Sequence, residues 1–217
     1  MSAVQPDAAR TAFFECYPVS RETEQALDTY ARLLDEWQAK LNLVGPATLP
    51  DKWHRHFLDS AQLLDYLPKT ARTLADLGSG AGFPGLVLAI MTDLKVTLVE
   101  SRAKKCRFLQ TVADACAIAA RVTVTNIRVE ELPPVPFDVI TARAFAPLDR
   151  LLGWSRHIVS PKTVMLLPKG ASVADEIAEA RKTFLFDATL HTSVTEPAAH
   201  IVELRNVRAR SATRGNR

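Results

Sequence analysis

At 217 residues and 47% hydrophobic, the chain can bury one full core. Its formal charge of +3 is modest but uneven. Five arginines and no acid stand in "RNVRARSATRGNR" from Arg205 onward, so the rest is slightly acidic and the tail suits polyanions or solvent.

The N-terminus "MSAVQPDAARTAFF" has no basic segment followed by an apolar one, so no signal peptide is expected. No apolar run reaches the roughly 18 to 20 residues of a membrane span. Ser20 suits a helix N-cap, with Glu22 and Glu24 at the positive end. Behind it Leu27, Tyr30, Leu34, Trp37 and Leu41 recur on one face. "NLVGPATLP" breaks that helix, and Asp51 opens a second one with Trp53, Phe57, Leu64 and Leu67 on one side. Residues 1–72 thus read as a helical extension packed on the remainder of the chain.

From residue 73 the pattern alternates. "TLADLG" reads as a strand, then a glycine loop, then a helix with Pro84 in its first turn. "KVTLVE" is strand two, and Ser101 is the expected cap of a helix over 102–119. "VTVTNI", "FDVITA" and "TVMLLP" are strands three to five, with helices over 147–159 and 175–184. "TLHTSV" and "HIVELRNV" close the sheet as an antiparallel pair. The result is an α/β fold with a mostly parallel sheet over 73–207, followed by a basic tail at 208–217 that is expected to be disordered.

In such a sheet, ligands sit beyond the carboxyl ends of the strands. "DLGSGAGFPG" places Asp76, Gly78, Gly80, Gly82 and Gly85 there, and Glu100 ends strand two with a carboxylate suited to ribose hydroxyls. These residues point to a nucleoside cofactor, either NAD or S-adenosylmethionine (SAM). Asp76 would oppose a diphosphate but favour a sulfonium and an ammonium group. The sheet is also complete by residue 207, with no room for a second substrate domain. Glu130, after strand three, falls where the adenine edge would lie. These tilt the reading to SAM over an NAD(P)-dependent oxidoreductase. A SAM-binding module without turnover is the other rival, and Asp76 as a capping residue is the alternative for that side chain.

Other groups invite roles. Arg143 follows strand four at the functional rim, to grip cofactor or RNA phosphate or to form an internal salt bridge. Phe145 could stack on a base, and Lys169 could meet a phosphate. His56, Asp59 and Ser60 share an α-helical face and could brace the glycine loop or shape the base pocket. His54 and His56 point apart, so no metal site is expected. Cys16, Cys106 and Cys116 form no CxxC pair, which favours neither disulfides nor zinc and fits a reduced setting. Asp138 should anchor a loop. Two basic clusters, one of Arg102, Lys104, Lys105 and Arg107 and one of Lys52, His54, Arg55 and His56, offer a path for RNA backbone.

Seven ordered stretches, "NLV", "RHFLDS", "DLGSGAGFPG", "VTLVESRAKKCRFL", "RVEEL", "TARAFAPL" and "LPKG", together resemble the RsmG (GidB) family of ribosomal RNA small subunit methyltransferases over residues 25–205. The resemblance implies a class I SAM-dependent, Rossmann-like fold of seven strands and N7-methylation of one guanosine in the 530 loop of 16S rRNA. It implies a small-subunit partner; the cysteine usage fits a cytoplasmic location, and a monomer is expected. By position, it puts Gly78 and Phe83 in the SAM site, Glu100 on the ribose, Val129 and Glu130 beside the adenine, and Arg143 near the transferring methyl. The family often has an aliphatic residue where Phe83 stands. Arg143 and Lys169 are the candidate positioning residues for the reaction, and Phe145, Lys169, Arg55 and His56 the candidate RNA contacts.

Overall fold

The computed structural model describes residues 6–210. Two helices lead, α1 (Pro6–Cys16) and α2 (Arg21–Gln38). Ser20 caps α2 by accepting the Thr23 N–H, and Leu27, Tyr30 and Leu34 are buried on its inner face, in line with their spacing. The helix expected from Asp51 is wound differently. A π-helical turn, Trp53–Leu58, runs into α3 (Asp59–Ala61) and a 3-10 turn, Gln62–Tyr66.

The sheet contains β1 (Thr73–Leu77), β2 (Lys95–Val99), β3 (Val122–Thr125), β4 (Val139–Thr141), β5 (Val164–Lys169), β6 (Phe184–Thr192) and β7 (His200–Ala209). Their order is β3-β2-β1-β4-β5-β7-β6, parallel through β5, with β7 antiparallel to β5 and β6 antiparallel to β7. Between them lie α4 (Gly85–Met91), α5 (Ala103–Ala115), α6 (Leu148–Ser155) and α7 (Val173–Ala180). β1 turns outward between β2 and β4, so the crevice at its carboxyl end is the topological switch point, where open α/β sheets bind ligands.

Each face of the sheet has its own apolar layer. Phe13, Leu27, Tyr30, Phe57, Leu86 and Phe108 cover one together with Leu74, Val96 and Leu98. Leu148, Leu151, Leu152 and Ile158 cover the other over Leu77, Ile140 and Met165. The N-terminal helices therefore pack on the same face as α4 and α5.

Three details depart from the expected boundaries. α5 begins at Ala103 without a Ser101 cap. The N-cap is Arg102, with no side-chain cap bond, and the Glu100 carboxylate accepts the Arg102 N–H at 2.8 Å just ahead of the helix. β6 starts at Phe184, where a helix end was expected. It is the sheet's outer strand, only partly buried and bulged between Leu185 and Asp187, so its apolar alternation is blurred. Finally, Arg208 and Ala209, placed in the tail from sequence, belong to β7, while residues 211–217 lie outside the described residues.

Candidate active site at the carboxyl ends of β1, β2 and β4

The loop after β1 turns on Gly78 and Gly80, at φ +69° and +56°, conformations costly for any residue with a Cβ. Gly85 serves a different need. A Cβ there would lie 2.5 Å from Leu98 Cδ2 and 2.7 Å from the Asp76 side chain, so its absence lets α4 seat closely on β1 and β2. Tyr30, fully buried on α2, holds the loop from below by donating to the Ala81 carbonyl at 2.6 Å. Its ring stacks on Phe83 at 5.0 Å. Sequence periodicity marks Tyr30 only as a core residue. Its hydroxyl has no sequence signature.

Two cavities meet over Gly78 and Gly80. The smaller, about 420 Å³, is lined by Glu100, Ser101, Ile127, Val129, Glu130 and Trp154 among others. The Glu100 carboxylate accepts the Gly80 N–H on Oε2 (3.0 Å) and the Arg102 N–H on Oε1 (2.8 Å). Each oxygen retains a lone pair for a further donor. The chemistry of this set, a fixed carboxylate beside bare backbone with apolar Val129 at the wall, fits the ribose and base of a nucleoside. The volume also falls within the ~300–1,000 Å³ of small-molecule sites.

Asp76 corrects an expectation. Its carboxylate is wholly buried and lines neither cavity. It accepts from Thr141 Oγ1 at 3.0 Å and the Gly85 N–H at 3.3 Å, tying β1 to β4 and to the start of α4. Burial pushes its pKa up to about 6. These are the contacts of the capping alternative, and the carboxylate makes no direct approach to either cavity. Gly82 likewise lines neither cavity. A Cβ there would lie 2.3 Å from Leu86 and 2.9 Å from the Tyr30 hydroxyl, so it too is a packing glycine.

The larger cavity, about 830 Å³, lies on the other side. Its walls come from the 43–48 segment, the π-helical turn, the loop after β4, the end of β5 and the β6–β7 connection. Gln38 fixes the first of these, donating to Val44 O and accepting the Leu43 and Val44 N–H groups. At the centre stands Arg143. It donates to Asp59 Oδ2 at 3.0 Å, to the Arg55 carbonyl at 3.2 Å and to His56 Nδ1 at 3.2 Å, with its guanidinium 5.0 Å over the Phe83 ring. Arg143 is thus both a cavity residue and an internal ion pair. Asp59 in turn accepts from Thr195 Oγ1 (2.8 Å) and Gln62 Nε2 (3.0 Å), which links Arg143 to the β6–β7 connection.

His56 is buried, and its pKa is pushed down to about 3 by burial first and then by Arg143 and Arg55. It is therefore neutral. Nδ1 accepts from Arg143, which puts the proton on Nε2. That N–H faces Thr48 Oγ1 at 2.9 Å, whose own hydroxyl donates to Gly45 O at 2.8 Å. With both nitrogens engaged, His56 holds Arg143 in place at the wall of the larger cavity. Asp59 meets His56 on the Arg143 guanidinium, whereas Ser60 Oγ turns back to the His56 carbonyl at 2.6 Å, and neither Asp59 nor Ser60 hydrogen-bonds the glycine loop among the described residues. His54 pairs instead with Asp51 at 3.6 Å.

Lys169 is likewise occupied. Its Nζ donates to Ala146 O at 2.9 Å and Glu176 Oε2 at 2.7 Å, and Glu176 also accepts the Leu148 N–H at 3.0 Å. These bonds pin the loop after β4 and, among the described residues, leave one of the three ammonium donors unused at the wall of the larger cavity. Phe145 is carried on that loop behind Ala144, which has φ +49°. Its ring rests on Gly78, where a Cβ would lie 2.1 Å from Cδ2, and meets Trp154 edge-on at 5.6 Å. It separates the two cavities and remains part-exposed. Arg55 is exposed at the rim, paired with Glu196 at 3.3 Å. Asp138 anchors as expected, accepting from Arg72 N, Thr73 N and Thr73 Oγ1, and the Arg72 N–H above all holds its pKa low.

A family model described as "rRNA small subunit methyltransferase G" matches residues 23–204. The chain belongs to this family, GidB. Relatives bearing the name ribosomal RNA small subunit methyltransferase G include one from Paramagnetospirillum magneticum, 49% identical over 87% of this chain and 91% of its own. Another, from Rhodospirillum rubrum, is 46% identical over 89% of this chain and 95% of its own. Among solved structures, an O-methyltransferase from Bacillus cereus in complex with SAH aligns with a TM-score of 0.60 at 15% identity, covering 91% of this chain and 97% of that one. At that identity the likeness speaks for fold, and the fold is the class I SAM-dependent methyltransferase fold. GidB membership thus agrees with the SAM reading of the glycine loop over the dinucleotide one.

Proposed function

We propose that the chain transfers the methyl group of SAM to N7 of a guanosine in the 530 loop of 16S rRNA, acting as a monomer on the small ribosomal subunit in the cytoplasm. The observation that carries the reading is the pair of cavities joined over Gly78 and Gly80, with Glu100 facing one and Arg143 the other, in a GidB-family chain. In this reading residues 1–72 serve the 73–207 methyltransferase unit by supplying one wall of the larger cavity, and residues 208–217 act as a basic tail.

Bound SAM supplies an electrophilic methyl on a sulfonium. Glu100 and the Gly80 backbone hold the nucleoside, with Val129 and Glu130 beside the base and Gly78 and Phe83 along the remainder. Guanine N7 carries a free lone pair, so the chain needs no general base. What it must supply is alignment, which can remove much of a barrier. Arg143, clamped by Asp59, His56 and the Arg55 carbonyl, gives the larger cavity a fixed cationic edge. Phe145 offers a ring face for the extruded base, and Arg55 a rim contact for backbone phosphate.

Incubating the protein with labelled SAM and undermethylated small subunits should place label in the 530 loop, at a site that cleaves after borohydride and aniline treatment. Label at another position, or none from protein that binds SAM, would overturn the assignment.

A further inference from the structure

Four lysine or arginine side chains face the larger cavity, and three are neutralised at close range. Arg143 meets Asp59 at 3.0 Å, Lys169 meets Glu176 at 2.7 Å, and Arg55 meets Glu196 at 3.3 Å. The fourth, Lys105 in the first turn of α5, lines both cavities and has no hydrogen-bond or ion-pair partner among the described residues. Its ammonium stands over the bend of the glycine loop: a Cβ on Gly80 would be 3.8 Å from Nζ. The residue is only partly exposed. An ammonium drawn partly out of water without a counter-charge carries a cost that an incoming anion would offset.

The surroundings extend that excess charge outward. The first turn of α5 holds no acid, although acids are favoured at a helix N-terminus, and Arg102, Lys104 and Arg107 stand exposed around Lys105. A ligand that fits has one anionic group at the seam of the cavities and further anions continuing along the surface. A phosphodiester chain has that form, whereas an isolated carboxylate uses the seam alone.

We propose that Lys105 binds the phosphate of the nucleotide whose base enters the larger cavity, fixing the base by its backbone while Arg143 and Phe145 border it within. The proposal rests on the reading of the chain as an RNA methyltransferase. Lys105 is then a positioning residue for substrate and has no part in holding SAM.

The test compares wild type with Lys105→Gln and Lys105→Arg, using labelled SAM and undermethylated small subunits over a salt series, with SAM affinity measured separately by calorimetry. Lys105→Gln should raise KM for subunits about tenfold, as loss of a charge-assisted hydrogen bond does. The salt dependence of log KM should become shallower by about 0.7 to 0.9, the value of one phosphate contact. SAM affinity should stay unchanged, and Lys105→Arg should restore most of the salt slope. Weakened SAM binding with an unaltered salt slope would assign the ammonium to the cofactor's carboxylate and overturn the proposal, as would a Gln variant matching wild type in both measurements. If wild type itself labels no subunit RNA, the reading of the function falls first and the proposal with it.

Discussion

Replacing Arg143 with alanine should lower kcat/KM for methyl transfer at least 100-fold. The guanidinium touches three pieces of the larger cavity at once: the π-helical turn and the start of α3 through Arg55, His56 and Asp59, the Phe83 ring, and, through Asp59, Thr195 of the β6–β7 connection. Removing it takes away their common contact, and a shift of about 1 Å in an aligned site can cost on the order of 100-fold in rate. The Asp59 and Arg143 side chains are only 16% and 18% exposed, so breaking the pair also costs stability, on the order of 1 to 3 kcal/mol after allowance for residual solvent. Arg143→Lys keeps the charge but loses the planar fork that serves three acceptors, and should recover only part of the rate. Single-turnover labelling with saturating SAM separates these effects from binding. An alanine variant within a few-fold of wild type would show that the guanidinium is structural.

Acid should destabilise the protein through His56. The imidazole is held neutral, with a pKa pushed to about 3 against about 6.5 when unfolded. Between those values the unfolded chain binds a proton that the folded chain refuses. The stabilising contribution is therefore full above about pH 6.5 and is lost progressively as the pH falls toward 3. The gap corresponds to roughly 4 to 5 kcal/mol, comparable with the whole margin of many domains. Asp76 works in the opposite sense. Its pKa is raised to about 6, so between about 4 and 6 the folded state takes up the proton first and gains stability as the pH falls. The two partly cancel in that window. Comparing urea unfolding of wild type and His56→Asn removes the Asp76 contribution. The advantage of wild type should shrink by several kcal/mol from pH 7 to pH 3.5. A difference that stays constant over that range would contradict a neutral, buried His56.

The fold is legible in the sequence because its signals are local. Ser20 marks a helix start by its own side chain, β1 to β5 show compact apolar runs, and the glycines that open α4 stand beside an acid-terminated strand. The cofactor half of the site comes from the same signals, since Glu100 and the glycine loop lie at adjacent strand ends. The substrate half is only partly legible. Arg143 can be read as rim-facing, but its clamp depends on Asp59 and His56, 84 and 87 residues away in sequence, brought together by a π-helical turn that periodicity reads as α. Tyr30, Gln38 and Thr195 look like ordinary core, helix-end and loop residues, and only tertiary contact gives them a role. Asp76 misleads for a related reason. A carboxylate beside a ligand loop can face the ligand or the backbone, and its complete burial against Thr141 and Gly85 settles which.

The central claim is that Glu100 and the bare backbone at Gly78 and Gly80 form a seat for SAM. Isothermal titration of the purified protein with SAM, with its demethylated product and with NAD tests it most directly. The account predicts saturable heat from the first two, competing for one site per chain, and none from NAD. Saturable NAD binding with no heat from either methyl-cycle nucleoside would contradict it.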